Sequence, residues 1–204
     1  MKKLVALILA LGMLLCVGTA FATETDETAE NAETTEAAEA TEAEGEEAAA
    51  PTEPIVINWD ELQQQAADTI AQGEFITFDE IAVTMWMPNA LTAVELTEED
   101  LAQGYIGYYQ PEDGSAAIAV IYGDINGMTL EEYKEQLAQS GATDIEDVVI
   151  NGIEAVSYAL EDTDTACVAF VTEAGYVFEV SGAPKSDEGF AAVLSMVMAS
   201  IQAE

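Results

Sequence analysis

The stretch DVVINGIEAVSYALEDTDTACVAFVTEAGYVFEVSG, residues 147–182, decides the fold. It holds four runs of Val, Ile, Ala, Phe and Tyr, the residue types that fit a pleated, half-buried surface. Asn151-Gly152 separates the first two runs, and this dipeptide suits the type I′ turn, whose two central residues both need positive φ. LEDTDTA (160–166) turns the chain again, and Glu173-Ala174-Gly175 separates ACVAFVT (166–172) from YVFEVSG (176–182). Connections this short permit only antiparallel pairing, because a parallel neighbour needs a crossover of a dozen or more residues. The segment therefore predicts successive hairpins.

Working outward, Thr129-Leu130-Glu131-Glu132 reads as a capping box opening a helix. Leu130, Tyr133 and Leu137 line one face of that helix, which ends near Gly141. YIGYYQ (105–110) and AAIAVIYG (116–123) form a further hairpin around Pro111-Glu112-Asp113-Gly114. Thr97-Glu98-Glu99-Asp100 starts a single helical turn that closes at Gly104. EFITF (74–78) and IAVTMWM (81–87) read as strands, the second stopped by Pro88. On it Ile81, Val83, Met85 and Met87 share a face, and Trp86 points the other way as a core residue or an exposed anchor for a partner.

Asn58 caps a first helix with Trp59, Leu62, Ala66 and Ile70 on one face, ended by Gly73. Ser186 caps the last helix, whose stripe is Phe190, Val193, Leu194, Val197, Met198 and Ile201. Hairpins with amphipathic helices between and after them make an α+β fold, an antiparallel twisted sheet flanked by helices.

The succession ITFDEIAVTMWMP, MTLEEYKEQLAQSG, VINGIEAVSY and GYVFEVSG before a terminal amphipathic helix resembles the PsbP-like superfamily, over about residues 73–202. That group includes the extrinsic subunit of photosystem II, a Ran-binding import factor and DcrB-like lipoproteins. After Pro88 the chain departs from the pattern, with Asn89-Ala90-Leu91 where an aromatic is expected. The resemblance implies an αβα sandwich with non-enzymatic accessory or binding roles, and carries over no catalytic residue.

The N-terminus reads as an export signal over residues 1–22. Met1-Lys2-Lys3 is basic, Leu4 to Val17 is apolar, and Ala20-Phe21-Ala22 offers a cleavage pattern after Ala22. Two alternatives stand beside cleavage. The apolar run from Leu4 to Ala22 is long enough to span a bilayer if left uncut, and Cys16 offers a lipidation site, although bulky Leu15 precedes it. Residues 23–54 are almost entirely Thr, Glu and Ala, with twelve acids and no base. Such a tract buries too little apolar surface to offset its conformational entropy, so a disordered linker is expected there. The folded domain is expected over 55–204.

Charge narrows function further. The chain has 40 Asp plus Glu, four Lys, no Arg and no His, a formal charge of −36. Nucleic acid is excluded as a partner, since phosphate contacts need clustered Lys and Arg. Without His, the usual nucleophile–base pairs and imidazole metal sites cannot form, and no catalytic residue is expected. Cys167, mid-strand, reads as a buried structural thiol without a cation to activate it. Glu161, Asp162 and Asp164 crowd one turn and are the metal candidate, for calcium, though the Gly and distal Glu of an EF-hand loop are missing. Trp86, Tyr105, Tyr108 and Tyr109 are the aromatic candidates for a binding surface.

The expectation is a secreted, non-enzymatic accessory or binding domain without a cofactor. Its mature domain does not insert in a membrane, and its protein partner is basic or cation-bridged. The alternative is a calcium- or cation-responsive surface protein.

Twelve of the acids lie in the linker, which leaves 28 acids against Lys134 and Lys185 on the domain. Self-repulsion of that size destabilises the compact state and is screened within about 10 Å at 0.1 M salt. The melting temperature, followed by circular dichroism, is expected to rise between 10 and about 200 mM NaCl; a flat or falling curve would show that the charges are too dispersed to matter.

Overall fold

The computed structural model describes residues 53–66, 72–79 and 81–203. The export segment, Cys16, the acidic tract through Thr52 and Ile70 lie outside the described residues.

The order of elements is β1 (Ile55–Ile57), α1 (Trp59–Ala66), β2 (Gly73–Phe78), β3 (Val83–Pro88), β4 (Thr92–Ala93), α2 (Glu98–Ala102), β5 (Tyr105–Gln110), β6 (Ala117–Asp124), α3 (Leu130–Gln139), β7 (Thr143–Ile150), β8 (Ile153–Leu160), β9 (Thr165–Val171), β10 (Tyr176–Ala183), α4 (Glu188–Ala199) and β11 (Gln202–Ala203). Eight strands form one sheet in the order β1-β7-β8-β9-β10-β6-β5-β4, and β11-β3-β2 form a second. The architecture is α+β, as expected. The large sheet is not wholly antiparallel, because β1 pairs parallel with β7. β1 precedes α1 and lies far from β7 in sequence, so no hairpin turn dictates the direction of their pairing.

The predicted hairpins form. Asn151 and Gly152 both take positive φ, 50° and 85°, the conformation a type I′ turn demands. Val148, Val149 and Ile150 then face Ala155, Glu154 and Ile153 in register. β9 and β10 pair from Val177–Val171 to Gly182–Ala166. Alternation along β10 puts Phe178 and Val180 on one face and Val177, Glu179 and Ser181 on the other.

The first face meets the main core. Trp59 from α1, Met85, Trp86 and Met87 from β3, and Leu194 and Val197 from α4 pack there against Ile118, Val120, Val168, Phe178 and Val180. Val120, Val180 and Val197 have no accessible surface, and each side chain buried in this way contributes about 2 kcal/mol. Trp86 is a core residue and not an exposed anchor, stacked obliquely near Trp59 with ring centroids 6.0 Å apart. The second face meets α3, where Tyr133 and Leu137 join Val156, Tyr158, Cys167 and Val177.

Thr129 forms the expected capping box, and Thr97, expected to open a helical turn, forms a complete one as well. Asn58 caps α1, its Oδ1 accepting from Asp60 N at 3.0 Å. Two expectations are corrected. Gly73 is the first residue of β2 and lacks the positive φ of a helix-ending glycine, and a Cβ there would fall 2.5 Å from the Trp86 ring and the Met87 carbonyl. The last helix is capped by Asp187, whose Oδ1 accepts from Phe190 N at 2.8 Å. Ser186 turns away to Asp164.

Asn151 ties the layers together. Its Oδ1 accepts from Trp59 N at 2.8 Å, and its Nδ2 donates to the carbonyls of Ala199 at 3.0 Å and Ile201 at 2.8 Å. Its backbone N–H donates to Ile57 O at 2.9 Å. Asn151→Ala is expected to cost about 3 kcal/mol, near 1 kcal/mol for each side-chain hydrogen bond lost. Asn151→Asp is expected to cost more, since a carboxylate then faces two carbonyl oxygens. Urea unfolding monitored by tryptophan fluorescence measures both, and a loss below about 1 kcal/mol for both would remove Asn151 from this role.

Candidate functional site

Several of the side chains that β6, β9 and β10 present toward α3 are small. Ala117, Ala119, Cys167 and Ser181 do not fill the space beside the helix, and a cavity of about 420 Å³ remains. Tyr133 and Leu137 of α3 and Tyr158 of β8 close one side of it, and Tyr105 of β5 borders it as well. Its lining is mostly apolar, and its rim carries the exposed Glu161 and Asp162.

One carboxylate lies on the cavity wall. Glu179, partly buried at the middle of β10, has two phenol donors on a single oxygen. Tyr133 Oη donates to Oε2 at 2.9 Å and Tyr158 Oη donates to the same atom at 2.5 Å. Oε1 receives no hydrogen bond from a described residue. Burial pushes the Glu179 carboxyl above its ordinary value, and the two phenols offset this only in part. The effect is reciprocal. Burial first, then the charge of Glu179, pushes Tyr133 and Tyr158 well above the usual tyrosine value and Tyr105 to about 12.

No counter-ion from this chain meets Glu179 among the described residues. Lys134 pairs with Glu131 at 3.0 Å and with Asp147 at 2.7 Å, which fastens α3 to β7. Lys185 pairs with Glu161 at 2.9 Å. Nothing in the sequence reading singled out Glu179. Its signal was an acid alternating with Val177 and Ser181 inside the apolar run YVFEVSG, where a solvated strand face has no reason to be.

Glu161 and Asp162 lie in a single 3₁₀ turn, Glu161–Thr163, and Asp164 follows it at φ 52°. Glu161 is held by Lys185. Asp164 accepts from the backbone N–H of Ser186 at 3.1 Å and from its hydroxyl. Glu161 and Asp164 therefore turn to separate partners, and no group of three metal-ligating side chains occurs among the described residues. Cys167 is buried and unpaired, on the cavity wall, and burial pushes its thiol well up. Tyr109 belongs to the main core, Tyr108 is partly buried, and Tyr105 alone of the named aromatics reaches the cavity. No helix among the described residues is long and apolar enough to cross a membrane.

No family model matches the chain, and no curated protein matches it. Among solved structures it is similar to cyanobacterial PsbP (CyanoP) from Synechocystis sp. PCC 6803, at 12% identity and a TM-score of 0.48. The match covers 66% of this chain and 94% of that one. No residue's role is taken from that likeness.

Glu179 makes stability depend on pH. Its folded pKa is raised, so the native state holds a proton that the unfolded state has already released. Stability therefore falls as pH rises from the ordinary carboxyl value through the raised one. Glu179→Gln, which keeps an acceptor for both phenols without the charge, is expected to melt higher than wild type at pH 7. The gap should close as pH is lowered through the Glu179 titration. A variant less stable than wild type at pH 7 would mean that the phenol bonds to the charged form outweigh desolvation.

Proposed function

We propose that this chain is an exported, non-enzymatic accessory domain that binds a small ligand in the cavity beneath α3. The observation that carries the reading is the cavity itself, an apolar space of about 420 Å³ with one oriented carboxylate. Small-molecule sites have this composition, a mostly apolar wall with a few placed polar groups, and this range of volume.

The chemistry of the wall supports binding over catalysis. The Cys167 thiol is buried and held protonated, which disfavours nucleophilic attack. Glu179 has only tyrosines and that thiol beside it, with no second acid or base to share a proton transfer. The field of the domain, 28 acids against two lysines, favours a basic or cation-bridged protein partner at the surface.

A neutral apolar dye, Nile Red, tests the cavity without interference from charge. It is expected to bind the full chain one to one with enhanced fluorescence. Ala119→Leu, which places a larger side chain on the cavity floor, should weaken it several-fold while circular dichroism stays that of the wild type. Equal fluorescence from both proteins, or none from either, would overturn the reading.

A further inference from the structure

We propose that the ligand of this cavity is a small organic cation with an apolar body, a protonated alkyl or arylalkyl amine whose ammonium head is held by Glu179. The inference rests on the binding-domain reading and specifies its ligand class.

Charge compensation comes first. The titratable groups around Glu179 are Tyr133 from α3, Tyr158 from β8, Cys167 from β9 and Tyr105 from β5. Glu161 and Asp162 stand at the rim. All are neutral or negative. The chain has no Arg and no His, and the two lysines among the described residues, Lys134 and Lys185, are committed to other carboxylates. A carboxylate drawn partly out of water without a countercharge is costly, and an incoming ammonium supplies the missing charge with hydrogen bonds.

Geometry agrees. Both phenols donate to Oε2, which fixes the carboxylate plane and leaves Oε1 as the acceptor for a ligand N–H. Three tyrosine rings border the space, and aromatic rings attract ammonium groups electrostatically. The walls beyond Glu179, such as Ala117, Ala119, Leu137 and Val177, are apolar and suit a hydrocarbon body. An anionic ligand meets the opposite conditions at every point, since no positive side chain among the described residues lines the cavity.

Lowering the pH should release the ligand. Protonation of Glu179 removes its charge at a pH above the ordinary carboxyl value. The tyrosines and Cys167 hold their protons well beyond neutral pH, so they do not titrate in that window.

Isothermal titration calorimetry of the full chain at pH 7 and 150 mM NaCl compares three probes of similar size: 2-phenylethylammonium, 2-phenylethanol and 3-phenylpropionate. The ammonium is expected to bind at least tenfold tighter than the alcohol, and the carboxylate not measurably. Glu179→Gln, with its folding checked by circular dichroism, should bring ammonium and alcohol within about threefold of each other. In wild type, ammonium affinity should fall on acidification, and in Glu179→Gln it should stay nearly constant. Equal affinities for ammonium and alcohol in wild type would overturn the amine assignment, as would unchanged ammonium binding in Glu179→Gln, which would place the cation on the rim acids. If Nile Red still binds, the cavity reading survives either result. If Nile Red and all three probes fail to bind, both readings fall.

Discussion

One side chain, Asn151, carries the constraint on which the arrangement of layers depends. A type I′ turn puts it in the left-handed region at φ 50°, a conformation Asn tolerates better than most residues. From there its amide reaches the first N–H of α1 and two carbonyls at the end of α4. Three segments far apart in sequence thereby share one amide. Without it, the carbonyls of Ala199 and Ile201 lose their donor at the point where α4 gives way to β11. The buried Ser200 completes the joint, accepting from Trp86 N at 2.8 Å and donating to Val197 O at 2.6 Å. The small sheet is thus pinned to the helix, and the helix to the hairpin, by polar groups inside an apolar layer, where a satisfied bond is strong and an unsatisfied one costly.

With that face closed, the other face of the same sheet is free to be packed less densely. The contrast lies in alternate residues of the same strands. On β6, Ile118 and Val120 go to the main core while Ala117 and Ala119 go to the cavity. On β10, Phe178 and Val180 oppose Glu179 and Ser181. A helix laid on Val and Phe would exclude solvent entirely; laid beside Ala and Ser it leaves room. α3 is held over this face partly by polar contacts, Tyr133 to Glu179 on β10 and Lys134 to Asp147 on β7. Its height above the sheet is therefore fixed by hydrogen bonds and an ion pair as well as by close packing.

Local chemistry was legible in the sequence wherever a few adjacent residues decide it. Asn151-Gly152 announced its turn, Thr97 its helical turn, Thr129 its capping box, and the β5–β6 and β9–β10 hairpins their pairing. What was not legible depended on distant neighbours. Gly73 looks like a helix stop until the Trp86 ring stands over it. Ser186 looks like a cap until Asp164 claims its hydroxyl and leaves the task to Asp187. The parallel strand β1 and the two-residue strands β4 and β11 are too short to show a period. The site was missed for a related reason. In a chain with 40 acids, a single Glu carries little information by its identity, and the cluster at 161–164 drew attention because it was dense. What distinguishes Glu179 is its position, an inward place on a central strand beneath two phenols.

That position has an energetic consequence for the whole domain. A domain with 28 acids and two lysines already opposes the compact state through self-repulsion, and one of those acids, Glu179, is a carboxylate whose ionisation burial disfavours. Both terms act in the same direction at neutral pH. A Gln or Leu at position 179 would relieve the internal one, and the phenols of Tyr133 and Tyr158 would then have lost the acceptor charge they converge upon. Two tyrosines from different elements, aimed at one oxygen of one carboxylate, support a charge that stability alone does not require. A group retained against stability, oriented by its neighbours and left with a free acceptor, is the arrangement expected of a binding site, where part of the folding free energy is held back until the ligand supplies the compensating charge.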